Sequence, residues 1–151
     1  MIGVISDTHG KLRSEAIDIL QDCEMIIHAG DVGDKSVVEQ LELIAPVVAV
    51  RGNVDIGRWA LSLPEEEVIE YQHKYIYVIH NLAEMNLDPA AASFSVVISG
   101  HSHIPKNTIE GNILYFNPGS AGPKRFSLPI SMGYLELVDG EFVGQLIELK
   151  N

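Results

Sequence analysis

Five short apolar runs in this chain each end in a side chain that can ligate a cation, and this recurrence constrains the fold more than any other feature. Ile2 to Ser6 runs into Asp7-Thr8-His9, Met25 to Ala29 into Gly30-Asp31, and Val47 to Val50 into Arg51-Gly52-Asn53. Tyr75 to Ile79 runs into His80, and Phe94 to Ile98 into Ser99-Gly100-His101-Ser102-His103. Apolar runs of this length, rich in β-branched residues and bounded by turn formers, read as buried strands. On an extended backbone, side chains at i and i+2 point to the same side. A strand that ends in Asp-x-His or His-x-His therefore aims two ligands at one point. The expectation is a sheet architecture that gathers strand ends around a metal centre.

Between the strands, Leu12, Ala16, Ile17 and Leu20 recur at helical spacing and predict an amphipathic helix over Lys11 to Cys23. Asp34 or Ser36 caps a second helix with Val37, Val38, Leu41 and Ile44 on its apolar face, and Pro46 stops it. The β-α-β-α-β order implies a parallel sheet with right-handed crossovers. Val54 to Leu63 lacks a period and reads as a loop. Glu66 to Tyr71 and Tyr75 to Ile79 alternate around Gln72-His73-Lys74 as a hairpin, and Leu82 to Ala92 reads as a short helix. Asn107 to Ile109, Ile113 to Phe116, Met132 to Val138 and Phe142 to Leu149 are short β segments, so the second half is expected to be mostly antiparallel meander. Two sheets packed on each other with helices outside use all these elements, in one domain spanning 1–151.

A length of 151 residues suits one domain with a real core, and the net charge of −11 bears on partners. The chain lacks the basic stripe that would neutralise a nucleic-acid backbone, so no nucleic-acid partner is expected. Cys23 is the single cysteine, so no intramolecular disulfide can form. No apolar stretch approaches the roughly 20 residues of a membrane span. No targeting segment is expected before the first strand, and a reduced, cytoplasmic setting follows by default.

Seven ligand-type side chains stand at the five strand ends: Asp7, His9, Asp31, Asn53, His80, His101 and His103. Taken singly, Asp31 and Asn53 are ordinary turn formers and His80 an ordinary structural histidine. The two doublets resist such an account. His28 faces away from Asp31 on a strand and His73 falls in a hairpin turn, so both are assigned structural roles. Carboxylate, amide and imidazole ligands without thiolate suit Mn, Fe, Zn or Ni rather than Ca or a structural Zn site. Two such ions sharing a carboxylate stand roughly 3.5–4 Å apart in two-metal hydrolases.

The ordered set Asp7-x-His9, Gly30-Asp31, Gly52-Asn53, His80, Gly100-His101-x-His103 resembles the calcineurin-like metallophosphoesterase superfamily, in particular its small bacterial and archaeal phosphodiesterase branch. The run Asn117-Pro118-Gly119-Ser120-Ala121-Gly122-Pro123-Lys124-Arg125 resembles that branch as well. The resemblance implies an α/β fold, a four-layer α-β-β-α sandwich of two mixed β-sheets flanked by helices. It implies two divalent metal ions, with Mn the first expectation and Fe, Ni or Zn as alternatives. Asp7, His9 and His103 would bind one ion, Asn53, His80 and His101 the other, and Asp31 would bridge. Asp7, His9, Asp31, Asn53 and His80 would also be the catalytic residues. The reaction implied is in-line attack of a metal-bridging hydroxide on a small phosphoester, most readily a phosphodiester. A phosphomonoesterase, or a scaffold protein on the same fold, is the alternative, and self-association is left open.

Two positions depart from the pattern. Many members carry a histidine directly after the Gly-Asn pair, placed to protonate the leaving oxygen; here Val54 stands there, followed by Asp55. Many have glycine where this chain has Asn81. Without the acid, poor leaving groups suffer most, so activated diesters are expected to be preferred.

Overall fold

The computed structural model describes residues 1–150. Strand β1 (Ile2–Ile5), helix α1 (Ser14–Leu20), β2 (Met25–His28), α2 (Lys35–Glu42) and β3 (Val47–Ala49) follow in the expected order, and β2 pairs parallel with both β1 and β3. The helices are shorter than their apolar periodicity. Cys23 lies past the end of α1, buried in the layer beneath it. Asp34 takes the extended cap position of α2, but its side chain makes no cap bond; it accepts the Ser36 hydroxyl instead.

Strands β4 (Glu66–Tyr71) and β5 (Lys74–Ile79) form the expected hairpin. Gln72 and His73 close it with φ of 48° and 67°, the left-handed pair that matches strand twist. The remaining strands are β6 (Val96–Ile98), β7 (Lys106–Glu110), β8 (Ile113–Asn117), β9 (Ser131–Val138) and β10 (Glu141–Glu148). The expected antiparallel meander is corrected here in two ways. Strand β6 pairs parallel with both β5 and β8, as suits a strand buried along its whole length. The β9–β10 hairpin returns to the first sheet, where β9 pairs antiparallel with β1. Two mixed five-stranded sheets result, in the orders β10-β9-β1-β2-β3 and β4-β5-β6-β8-β7.

The main core lies between the sheets, where Ile2, Val4 and Ile27 meet Ile76, Val78, Ile98 and Phe116. On the far side of the first sheet, Ile5 and Ile26 pack under α1 and α2. Gly3 is what lets α1 settle there: a Cβ at this position would stand 2.3 Å from a Leu20 methyl. The outer face of the second sheet is covered by the segment 82–94 through Leu82, Met85 and Phe94, and Phe94 stacks on Tyr77 at 5.1 Å between centroids. This layer is not the helix expected over Leu82 to Ala92. It holds one 3₁₀ turn, Leu82–Glu84, whose Ala83 N–H is accepted by Asn81 Oδ1 at 3.1 Å. Pro89 lacks the N–H and the clearance that a helix through this segment requires. Likewise Val54 to Leu63 is not featureless, since Arg58–Ser62 forms a 3₁₀ turn. Among the described residues no helix is long and apolar enough to cross a membrane.

Candidate metal centre

The C-terminal ends of β1, β2, β3, β5 and β6 converge on one edge of the sandwich, because these strands run parallel within their own sheets. Their ladders persist a little beyond the strands. Asp7 N–H donates to Gly30 O at 2.9 Å, His9 N–H to Asp31 O at 3.0 Å, and Gly100 N–H to His80 O at 2.9 Å. The backbone then turns sharply. Asp7, His9, Asp31, His101 and His103 have φ of 55°, 48°, 55°, 69° and 63°, all in the left-handed region. The doublets are therefore not extended, and strand alternation is not what aims them. Left-handed backbone is costly for residues with a Cβ, and it concentrates where a site demands it.

All seven expected residues come together. Asp7, His9 and His103 form one group and Asp31, His80 and His101 a second, with one ligand atom from each member within 4.8 Å of the others. The His101-x-His103 doublet is split between the groups. Asn53 joins the second, its Oδ1 lying 3.1 Å from His80 Nε2 and 3.3 Å from His101 Nδ1. Asp31 spans both: Oδ2 stands 3.2 Å from His80 Nε2 and 3.8 Å from His9 Nε2. His73 lies apart, in the β4–β5 turn.

The donor chemistry fits divalent cations. Asp7 Oδ1, His9 Nε2 and His103 Nδ1 are buried atoms with no hydrogen-bond partner, a costly arrangement unless something else compensates. Asp7 Oδ1 and His103 Nε2 approach to 3.3 Å. Burial pushes the Asp7 carboxyl above its ordinary range, against the Ser6 hydroxyl and nearby histidines, and pushes the His103 imidazole below its own. A cation would supply the charge compensation that this buried pair lacks. Burial opposes ionisation of Asp31 too, yet the His80 and Val54 hydrogen bonds outweigh it and hold the carboxyl at about 2. At His80, Nδ1 faces the Ala29 carbonyl at 2.8 Å, which turns Nε2 toward Asp31 and Asn53. Burial lowers its basicity, but Asp31 and the Ala29 carbonyl raise it by more, so a proton and a cation compete for Nε2.

The model of the calcineurin-like phosphoesterase superfamily domain matches residues 1–140. The chain belongs to the calcineurin-like phosphoesterase superfamily. Among similar proteins of this superfamily is a probable metallophosphoesterase of Methanocaldococcus jannaschii, 38% identical over 133 residues that cover 80% of this chain and 67% of the relative. A phosphodiesterase of the same organism is 30% identical over 159 residues, covering 93% and 95%. The crystal structure of Chaetomium thermophilum Vps29 superposes with a TM-score of 0.79 over 98% of this chain and 94% of that one, at 16% identity, a likeness of fold alone.

Within this superfamily fold, several supporting residues escape a reading of the sequence. Asp55, directly after the departure at Val54, is buried and accepts from Val32 N–H at 3.1 Å, Gly33 N–H at 2.9 Å and Gly52 N–H at 2.8 Å. It thereby ties the Asp31 turn to the Asn53 turn. The nearest local signal was that Asp55 closes its own turn, its N–H bonding Gly52 O at 3.2 Å. His28 is fully buried behind the site; its Nδ1 accepts from Gly30 N–H at 3.1 Å and its Nε2 meets Thr8 Oγ1 at 3.0 Å. Thr8 in turn donates to Val32 O at 2.8 Å, so His28 is the Nε2–H tautomer. The run from Asn117 acts as a brace. Asn117 Nδ2 donates to Gly100 O at 3.0 Å, Ser120 Oγ to Asp7 O at 3.1 Å, and buried Arg13 grips Ala121 O and Gly122 O at 3.2 and 2.8 Å. Gly30 has φ 102° and its missing Cβ leaves room for the His80 ring, which would otherwise lie within 2.6 Å.

Proposed function

We propose that this protein is a binuclear, metal-dependent phosphodiesterase acting on small or activated diesters. The observation that carries the reading is the pair of ligand groups with Asp31 Oδ2 between them. Asp7, His9 and His103 would hold one ion, and Asn53, His80 and His101 the other, with Asp31 shared. When bound, the ions would polarise the phosphoryl oxygens, make water nucleophilic at neutral pH and offset the charge of the transition state. The ligand set of imidazole, amide and carboxylate without thiolate admits Mn, Fe, Ni and Zn, and the family resemblance puts Mn first.

The chain's own residues do the rest. The Ser6 hydroxyl donates to Asp7 Oδ2 at 2.6 Å and His101 N–H to the same oxygen at 3.2 Å, which fixes the carboxylate and leaves Oδ1 turned toward His103. The Val54 N–H donates to Asp31 Oδ1 at 3.1 Å and fixes the shared carboxylate. The Val54 side chain is part exposed beside these ligands and offers no proton to a departing alkoxide. The reaction should thus favour leaving groups that are stable as anions. The Methanocaldococcus phosphodiesterase that resembles the chain over nearly its whole length supports the diester reading.

The test is to strip the protein with a chelator, reload it with Mn²⁺, Fe²⁺, Ni²⁺ or Zn²⁺, and assay bis(p-nitrophenyl) phosphate beside p-nitrophenyl phosphate. Metal-dependent turnover with the diester ahead supports the proposal. Faster turnover of the monoester makes the chain a phosphatase, and no turnover with any metal while the fold is intact makes it a binding protein.

A further inference from the structure

Beside the second ligand group, a cavity of about 370 Å³ opens from Asn53, His80 and His101 toward the β4–β5 edge. Arg51, Glu65, Glu66 and Glu84 line it as well. These charges do not balance. The Arg51 guanidinium is paired with Glu65, Nη2 to Oε1 at 3.1 Å, and so is already neutralised. Glu66 accepts the Tyr77 hydroxyl, a neutral donor, and keeps its charge. Glu84 sits on the Leu82–Glu84 turn with no ion-pair partner among the described residues. Two carboxylates without a cationic partner among the described residues thus line the same cavity as the candidate cation ligands Asn53, His80 and His101.

We infer that this cavity takes the second ester group of the substrate and selects one bearing a positively charged nitrogen, so that the substrate class is the phosphodiester of a cationic amino alcohol. The inference rests on the phosphodiesterase reading above and deepens it. The phosphate end of such a diester belongs at the ligand groups, and the cation then reaches Glu66 and Glu84. An ester group carrying its own phosphate, as in a polyphosphate or an oligonucleotide, meets repulsion at the same carboxylates. Because Glu66 and Glu84 are exposed, the attraction is moderate and screened by salt.

The experiment compares two diesters with the same leaving group and nearly the same shape: p-nitrophenyl phosphorylcholine and 3,3-dimethylbutyl p-nitrophenyl phosphate, which replaces the charged nitrogen by carbon. In low salt the ratio of kcat/KM should favour the choline diester by about fivefold, two exposed charges' worth. The ratio should shrink toward one in Glu84→Gln and Glu66→Gln, and with rising ionic strength. A ratio of one or less in the unaltered protein overturns the inference, as does a ratio that ignores both substitutions and salt. Should neither diester turn over, the phosphodiesterase reading fails by itself. The cavity is then judged by calorimetric titration of phosphocholine against 3,3-dimethylbutyl phosphate, and equal affinity for the two refutes it.

Discussion

The Asp31 carboxylate and the His80 imidazole meet at 3.2 Å, and each is only 4% exposed. The same Asp31 oxygen lies 3.8 Å from His9 Nε2, so one atom approaches a member of each ligand group. Replacing it should therefore damage both. Asp31→Asn is expected to lower metal content at both positions and diester turnover by about 100-fold or more. Elemental analysis alongside the bis(p-nitrophenyl) phosphate assay reads this, and full retention of one ion with unchanged turnover would refute a shared ligand.

His101 and His103, two residues apart, belong to different groups. His103→Ala should empty the position made with Asp7 and His9 first, and His101→Ala the one made with Asn53 and His80. Calorimetric titration with Mn²⁺ should show one of two binding steps lost in each variant. Equal weakening of both steps by either change counts against the split.

Val54, which has no proton to give, is expected to set the leaving-group dependence. Turnover of the unaltered protein should fall steeply as leaving-group pKa rises across a series of aryl and alkyl diesters. Val54→His places an acid beside the leaving oxygen and should raise turnover of the poorest leaving groups by about tenfold, flattening the plot. A flat plot for the unaltered protein would mean that another group already supplies the proton.

His28 makes stability sensitive to acid. Burial, reinforced by the charge on His80, holds its imidazole at about 3 against an ordinary value of 6.5. Between those values the unfolded chain binds one more proton than the folded one, so stability falls as pH drops through the window. The slope from this residue is at most about 1.4 kcal/mol per pH unit. Urea unfolding of the metal-free protein from pH 7 to pH 4 should show it, and His28→Gln, which does not titrate, should be flatter there.

Asp55 accepts three backbone N–H groups from two different turns. Asp55→Ala leaves them without their acceptor and should cost about 3 kcal/mol or more in the metal-free protein, read as a lowered urea midpoint. A change within a few tenths of a kcal/mol would show that solvent replaces the carboxylate freely.

The convergence of the seven candidate residues is legible in the sequence because each follows the end of one of five strands within a few residues, and an apolar run that stops at a polar residue is a local signal. The geometry is not, because strand alternation is expected to continue through Asp7-Thr8-His9 and His101-Ser102-His103. The chain in fact leaves the strands at Ile5 and Ile98 and turns left-handed. Local turn chemistry at Gln72-His73 is readable because it is local. The partners of β6 and β9 are not, since the parallel pairing of β6 passes through intervening connections and β9 reaches back across most of the chain to β1, and neither leaves a mark on adjacent residues. Asp55 carries no such signal because its three bonds are made by tertiary contact, and the apolar residues of Leu82 to Ala92 cover a sheet without being helical.

The return of β9 to β1 has a consequence for how the molecule is made. Ile2 pairs with Leu135, so the strand that leads to Asp7 is completed by chain synthesised long after it. During translation, β2 and β3 can dock on one side of β1 early, while its other edge stays open until Ser131–Val138 has left the ribosome. An open central strand is a template for wrong partners, and contacts of such high sequence separation form slowly. Completion of the sheet edge beside Asp7 is therefore timed by residues 131–138, which are made only after all seven candidate ligands have been synthesised.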